Sequence, residues 1–161
     1  MRATLAPSRL IDLTDRDFLP LVAESEAEGF RFVRRVHDEW RNAASRFDAP
    51  GEALLGVFDG GALVGICGLS RDPYAKDPRI GRLRNLYVVR ARRGQGLGAA
   101  LAREVIRLAS SSFEVLRLRA ATPESASLYE ALGFTLVTDE PDATHVMRFG
   151  VRPARASASA T

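Results

Sequence analysis

The stretch Arg93-Gly94-Gln95-Gly96-Leu97-Gly98 carries the clearest chemical signal in the sequence. It lies between an apolar strand pattern ending Leu86-Tyr87-Val88 and a helical pattern with Leu97, Leu101, Val105 and Leu108 on one face. A glycine-rich turn that opens a helix presents unpaired backbone N–H groups at the positive end of the helix dipole. That setting favours a phosphate or pyrophosphate group. Glycines can also serve only to connect a strand to a helix. Three alternating glycines with Arg92 and Arg93 beside them favour the anion site.

Three phosphate-binding patterns compete for this turn. A P-loop requires Gly-Lys followed by Ser or Thr, and the sole lysine, Lys76, lies elsewhere. The dinucleotide fingerprint matches in letters as Gly94-x-Gly96-x-x-Ala99, but it needs an acid near the end of the next strand to hold a ribose. That strand ends in Arg119, and no repeated βαβ unit is visible. The third pattern, Arg-x-x-Gly-x-Gly after an apolar strand, resembles motif A of the GNAT superfamily of acetyl-CoA-dependent N-acetyltransferases. A second stretch, Ser125-Ala126-Ser127-Leu128-Tyr129-Glu130-Ala131-Leu132-Gly133-Phe134, resembles that family's closing helix and strand. The two occur in the family's order with one strand between them.

The resemblance spans residues 8–150 and implies one α/β domain, a mixed and mostly antiparallel splayed sheet flanked by helices. It implies acetyl-CoA as co-substrate. The pyrophosphate would sit on the turn Arg93, Gly94, Gln95, Gly96, Leu97, Gly98 and Ala99, with the pantetheine arm along Leu86, Tyr87 and Val88. A backbone donor near Val88 would stabilise the charge that grows on the thioester oxygen. Thr122 stands where relatives often carry an asparagine that meets the cofactor; its hydroxyl can hydrogen-bond there or only cap a helix. Tyr129 matches the family's proton donor for the departing thiolate. A tyrosine on a short amphipathic helix can equally be a packing residue.

The base has no match. Relatives place a glutamate on the fourth or fifth strand, where this chain has Arg82 and Arg117, and arginine stays protonated. Arg82 and Arg84 alternate with Leu83 and Asn85, so they are expected on one side of the sheet unless a bulge intervenes. At a pocket they would favour an acceptor with a carboxylate or phosphate beside its amine. The other reading is a solvated strand face.

The elements that position these residues follow from periodicity and turn chemistry. Leu10–Leu13 is expected as a first strand, and Thr14 with Asp17 as a helix start. A second helix has Val33, Val36, Trp40, Ala44 and Phe47 on one stripe. Strands over 53–58 and 62–69 flank Asp59-Gly60-Gly61, a hairpin pattern. A loop over 71–79 holds Pro73 and Pro78 and leads to a long strand over 80–89. The glycine turn and its helix to Ala109 follow, then a strand over 115–120. Thr122 and Pro123 open the next helix, and Gly133 closes it. Strands over 134–137 and 144–149 complete the sheet. Residues 151–161 are expected to be a disordered C-terminal tail.

Composition bounds the remaining possibilities. A chain of 161 residues, 46% hydrophobic and 27% charged, is that of one globular domain. No run reaches membrane-span length and no signal peptide opens the chain, so a cytoplasmic home is expected. Cys67 is alone, which excludes an internal disulfide. His37 and His145 lack metal-ligand spacing, so no metal is expected. The net charge of +3 comes from scattered arginines, so no nucleic-acid partner is expected. The leading expectation is an acetyl-CoA-dependent N-acetyltransferase, monomeric or homodimeric, acting on a small-molecule amine. A protein N-terminal or lysine acetyltransferase and a non-catalytic acyl-CoA-binding module are the alternatives.

Overall fold

The computed structural model describes residues 5–150. The expected tail over 151–161 lies outside them. One seven-stranded sheet has the order β1-β2-β3-β4-β5-β7-β6. Its strands are β1 (Ser8–Arg9), β2 (Ala53–Asp59), β3 (Ala62–Arg71), β4 (Ile80–Val88), β5 (Val115–Leu118), β6 (Thr135–Leu136) and β7 (His145–Arg148). Only β4 and β5 run parallel; every other neighbouring pair is antiparallel. The helices are α1 (Asp15–Ala27), α2 (Phe32–Arg41), α3 (Leu97–Ser112) and α4 (Pro123–Ala131). This is the mixed, splayed sheet flanked by helices that the motifs implied.

The sheet separates two cores. Helices α1 and α2 bury Phe18, Leu21, Val33 and Trp40 against Leu54, Ile66 and Tyr87. On the other face, Leu101, Val105 and Ala109 of α3 pack with Leu55, Leu69 and Leu116. Tyr129 of α4 joins that second core and meets the Phe134 ring edge-on, with centroids 5.7 Å apart.

Helix starts behave as their sequences dictate. The Thr14 side chain accepts from the Asp17 N–H at 3.2 Å, capping α1. Thr122 and Ser125 form a reciprocal capping box at α4, with Pro123 at the first helical position. Several expected element bounds need correction. The first strand is Ser8–Arg9, not Leu10–Leu13. Leu10 still donates to the Leu54 carbonyl at 2.8 Å, but Ile11 is 77% exposed as the chain leaves for its cap. Helix α2 stops at Arg41, so Ala44 and Phe47 are not on it. The Asn42 side chain takes the Ala44 N–H at 2.8 Å, and Phe47 reaches the core from the loop. Strand β5 ends at Leu118 because the Ala120 N–H goes to the Thr144 hydroxyl at 2.8 Å instead of a ladder carbonyl. Strand β6 shortens to Thr135–Leu136.

Two irregularities shape the middle of the sheet. Strands β4 and β5 pair only from Ile80↔Val115 to Arg82↔Arg117. Beyond that rung β4 continues to Val88 while β5 ends, so the sheet opens into a wedge. Within β4, the register against β3 jumps from Gly68↔Arg84 to Ile66↔Tyr87, which inserts one extra residue. Asn85 sits at this bulge with φ 63°. Because one residue is added, Tyr87 shares a face with Arg82 and Arg84 and packs in the α1–α2 core.

Candidate active site

Two cavities occupy the wedge. The larger, about 610 Å³, runs from Leu86, Tyr87 and Val88 to Gly94, Gly96, Leu97, Gly98 and Ala99, with Thr122, Ser125 and Leu128 of the α4 end opposite. The smaller, about 250 Å³, is lined by Tyr74, Arg82, Arg84, Arg119 and Tyr129 among others. Phe32, Leu86, Ala121 and Ser125 line both, so the two meet there.

The glycine turn has the geometry an anion site needs. Gly94 and Gly96 hold φ of 76° and 84°, and a Cβ placed on either would meet nothing within 4 Å. The positive φ selects glycine, and the space beyond is open. The first α3 bond runs from the Ala100 N–H to the Gly96 carbonyl at 3.0 Å, and no side chain caps this end. The N–H groups of Leu97, Gly98 and Ala99 therefore precede the helical ladder and have no partner within it. Gln95 is exposed outside the lining. These residues fit a pyrophosphate.

The edge of β4 offers the next element. Val89 donates to the Val64 carbonyl at 2.9 Å, which makes that rung the hydrogen-bonded one and leaves Val88, opposite Gly65, on the next. Alternation then turns the N–H and carbonyl of Val88 away from β3, into the wedge. Arg93 Nε donates to this carbonyl at 2.9 Å. The Arg93 guanidinium also binds Glu28 through Nη1 at 2.8 Å and Nη2 at 2.5 Å, and lies over the Tyr87 ring. Arg93 thus lines the larger cavity with its charge already matched. Arg92 likewise pairs with Asp59. The Tyr87 hydroxyl is shared between Glu28 at 2.6 Å and Glu24 at 2.7 Å. Hydrogen bonds from Arg93 and then Tyr87 hold the Glu28 carboxyl down at about 2. Burial, then the hydrogen bonds to Glu28 and Glu24, push the Tyr87 hydroxyl above its ordinary range.

Thr122 caps α4, and it also lines the larger cavity. Tyr129 lines the smaller cavity and is 5% exposed. Burial, with a lesser contribution from Cys67, raises its hydroxyl well above the ordinary range, so it stays protonated.

Arg82 and Arg84 reach the same cavity in different states. Arg82 is buried, donating to Asp72 at 3.2 Å and to the Asp142 carbonyl at 2.8 Å, beneath the Tyr74 ring. Among the described residues the Arg84 side chain makes one hydrogen bond, to the Ser70 hydroxyl at 3.5 Å. The sequence reading missed Asp72, whose side chain is wholly buried in a loop flanked by proline. Arg117 also donates to it, at 2.8 Å. Burial opposes the ionisation of Asp72; the Arg117 hydrogen bond, the Tyr74 N–H and the Arg82 charge outweigh it and lower its pKa. It also missed Arg119. No carboxylate is among the described lining residues of the smaller cavity. No cluster of three His, Cys, Asp or Glu side chains among the described residues is placed to hold a metal. No described helix is long and apolar enough to cross a membrane.

A model of the acetyltransferase (GNAT) family matches residues 18–134. The chain belongs to the GNAT acetyltransferase family. A protein designated an acetyltransferase, from Exiguobacterium sp. 255-15, resembles it with a TM-score of 0.80 at 27% identity, over 91% of this chain and 94% of that one. The GNAT N-acetyltransferase YhbS of Escherichia coli, solved in complex with CoA, gives a TM-score of 0.64 at 20% identity, over 93% and 85% of the two chains. A GCN5-related N-acetyltransferase from Kribbella flavida gives 0.68 at 20% identity, over 89% and 95%. Among curated proteins none matches with significance. As a GNAT member the chain is of the acyltransferase class.

Proposed function

We propose that this GNAT protein transfers an acetyl group from acetyl-CoA to the primary amine of a small molecule that carries an anionic group. The observation that carries the reading is the junction of two unlike cavities. One ends on a helix start with unpaired N–H groups; the other is ringed by guanidinium groups beside a buried tyrosine.

The residues divide the work. The backbone of Gly94 to Ala99 holds the pyrophosphate, and the edge of Leu86, Tyr87 and Val88 orients the pantetheine arm. Acetyl-CoA supplies a thioester, an acyl group activated for attack by nitrogen. The Val88 N–H is aimed at the thioester oxygen. A carbon–nitrogen bond forms and the carbon–sulfur bond breaks. Tyr129 gives its hydroxyl proton to the sulfur leaving group, yielding the free thiol. The proton lost by the amine goes to water, because no carboxylate is in the described lining of the acceptor cavity. It restores the Tyr129 hydroxyl through solvent.

That same lack of a carboxylate favours a second reading, a non-catalytic acyl-CoA-binding module. A thiol-release assay with acetyl-CoA across amino acids, polyamines, aminoglycosides and peptides separates the two. Amine-dependent release, strongest with acidic amino acids or phosphorylated amines, supports the transferase. Binding of acetyl-CoA with no release for any amine would leave the binding module.

A further inference from the structure

The last paired rung of β4 and β5 joins Arg82 to Arg117. One carboxylate, Asp72, bridges them, with Oδ2 at 3.2 Å from Arg82 Nη1 and 2.8 Å from Arg117 Nε. Side chains on a strand repeat their direction every second residue, and parallel strands advance together. Two residues further along each arm stand Arg84 and Arg119, and both line the smaller cavity with Arg82. Beyond the last paired rung the wedge therefore carries one further arginine from each arm, without a carboxylate between them. Arg84 and Arg119 have no carboxylate partner within 4.0 Å among the described residues; Arg84 meets only the Ser70 hydroxyl, and Arg119 donates to the Pro141 carbonyl.

We infer that Arg84 and Arg119 bind an oxyanion of the acceptor, a carboxylate or phosphate, bridging the two arms as Asp72 bridges Arg82 and Arg117. Guanidinium groups match such oxyanions through paired N–H donors in a plane, which makes them selective as well as attractive. Arg82 is then a positioning residue. Its guanidinium is held by Asp72 and the Asp142 carbonyl, and with Tyr74 it lines the cavity. The cavity of about 250 Å³ is below the usual range of drug-sized sites, so the acceptor portion it takes is of amino-acid size. This inference rests on the transferase reading for the identity of the ligand as an amine acceptor.

The test has two arms. In the first, inorganic phosphate and glutarate are titrated calorimetrically into the CoA-saturated protein and its Arg84→Ala, Arg119→Ala and Arg119→Lys variants. Binding lost in both alanine variants and weakened in Arg119→Lys is the expected result; the tighter anion tells phosphate from carboxylate. In the second, each of several amino acids is compared with its own carboxamide in the thiol-release assay. Either alanine variant should raise KM for the acid on the order of tenfold to a hundredfold, the range of a hydrogen bond to a charged group, and leave the carboxamide unchanged. Arg107→Ala, on the outer face of α3, controls for net charge. Equal effects on acid and carboxamide, or anion binding indifferent to both arginines, would overturn the pair while leaving acetyl transfer intact. No turnover of any amine, with anion binding still lost in both alanine variants, would overturn the transferase reading and leave the pair standing.

Discussion

Glu28, at the C-cap of α1, grips both terminal nitrogens of Arg93 at 2.8 and 2.5 Å and so ties the first helix to the glycine turn. The same arginine donates to the Val88 carbonyl, which places its stem along the strand edge that the pantetheine arm is proposed to use. Contacts far apart in sequence thus hold the turn against the wedge.

A pH dependence follows from this ion pair. Glu28 has a folded pKa of about 2, below its usual 4.5. A depressed carboxylate stabilises the fold fully above the unfolded value and loses that contribution as pH falls from 4.5 towards 2. Glu28→Gln should flatten acid unfolding across that window. At pH 7 the cost should be only about 0.5–1 kcal/mol, because Arg93 is 42% exposed and water screens the pair. Urea melts at pH 7 and pH 3 for both proteins measure this; an unchanged acid limb would show that Glu28 is not the linked group.

Gly96→Asp should weaken acetyl-CoA binding strongly. The substitution places a side chain at φ 84° and a negative charge where the pyrophosphate is proposed to lie. The space around Gly96 is open, so the cost to the fold should be limited to the strain of a side chain at positive φ, about 1–2 kcal/mol. Calorimetry should show a loss of at least about tenfold in affinity, equal to about 1.4 kcal/mol. Unchanged affinity with a normal melt would move the phosphate site elsewhere.

Tyr129→Phe keeps the edge-on contact with Phe134 and deletes only the hydroxyl. Turnover should fall by about a hundredfold with acetyl-CoA affinity nearly intact. Burial raises the Tyr129 pKa, so its acid form persists as pH rises, and the parent should keep this proton donor through the usual value of 10. With no carboxylate in the described acceptor lining, the rising limb of the pH–rate profile should follow the acceptor amine's own pKa. A variant as fast as the parent would make Tyr129 a packing residue.

Features written in local sequence were legible before the structure. The Asp59-Gly60-Gly61 hairpin, the Gly94–Gly98 turn and the Thr122–Pro123 helix start each depend on a few adjacent residues. What escaped depends on register. Asn85 adopts positive φ because β4 carries an extra residue against β3, which no local pattern encodes. Asp72 reads as one acid in a loop between two strands; its role exists only because Arg82 and Arg117, 35 residues apart, become neighbours. Arg119 was visible only as the wrong residue for a ribose, and it shares a cavity with Arg84 because the two arms part just beyond their last paired rung. The one cue for Asp72 in the sequence was two arginines, Arg82 and Arg117, at strand positions where relatives carry a glutamate, which calls for a counter-charge if they are buried.

Asp72 also yields the sharpest stability prediction. Its side chain has no exposure, and those of Arg82 and Arg117 are 9% exposed. Asp72→Asn keeps the shape and an acceptor oxygen but leaves two buried guanidinium groups facing each other, with Glu140 as the remaining anion on Arg117 at 3.1 Å. Breaking a buried ion pair from one side typically costs about 3–5 kcal/mol, a large share of a domain's roughly 5–15 kcal/mol of stability. Arg117→Met in the same chain removes one stranded charge and fills its volume with an apolar stem, so the double variant should recover part of the loss. Urea unfolding of the parent, both single variants and the double variant gives the coupling directly. Strict additivity of the two substitutions would mean that Asp72 and Arg117 do not act as a pair, and that the rung below the acceptor cavity is held by Arg82 and its neighbours alone.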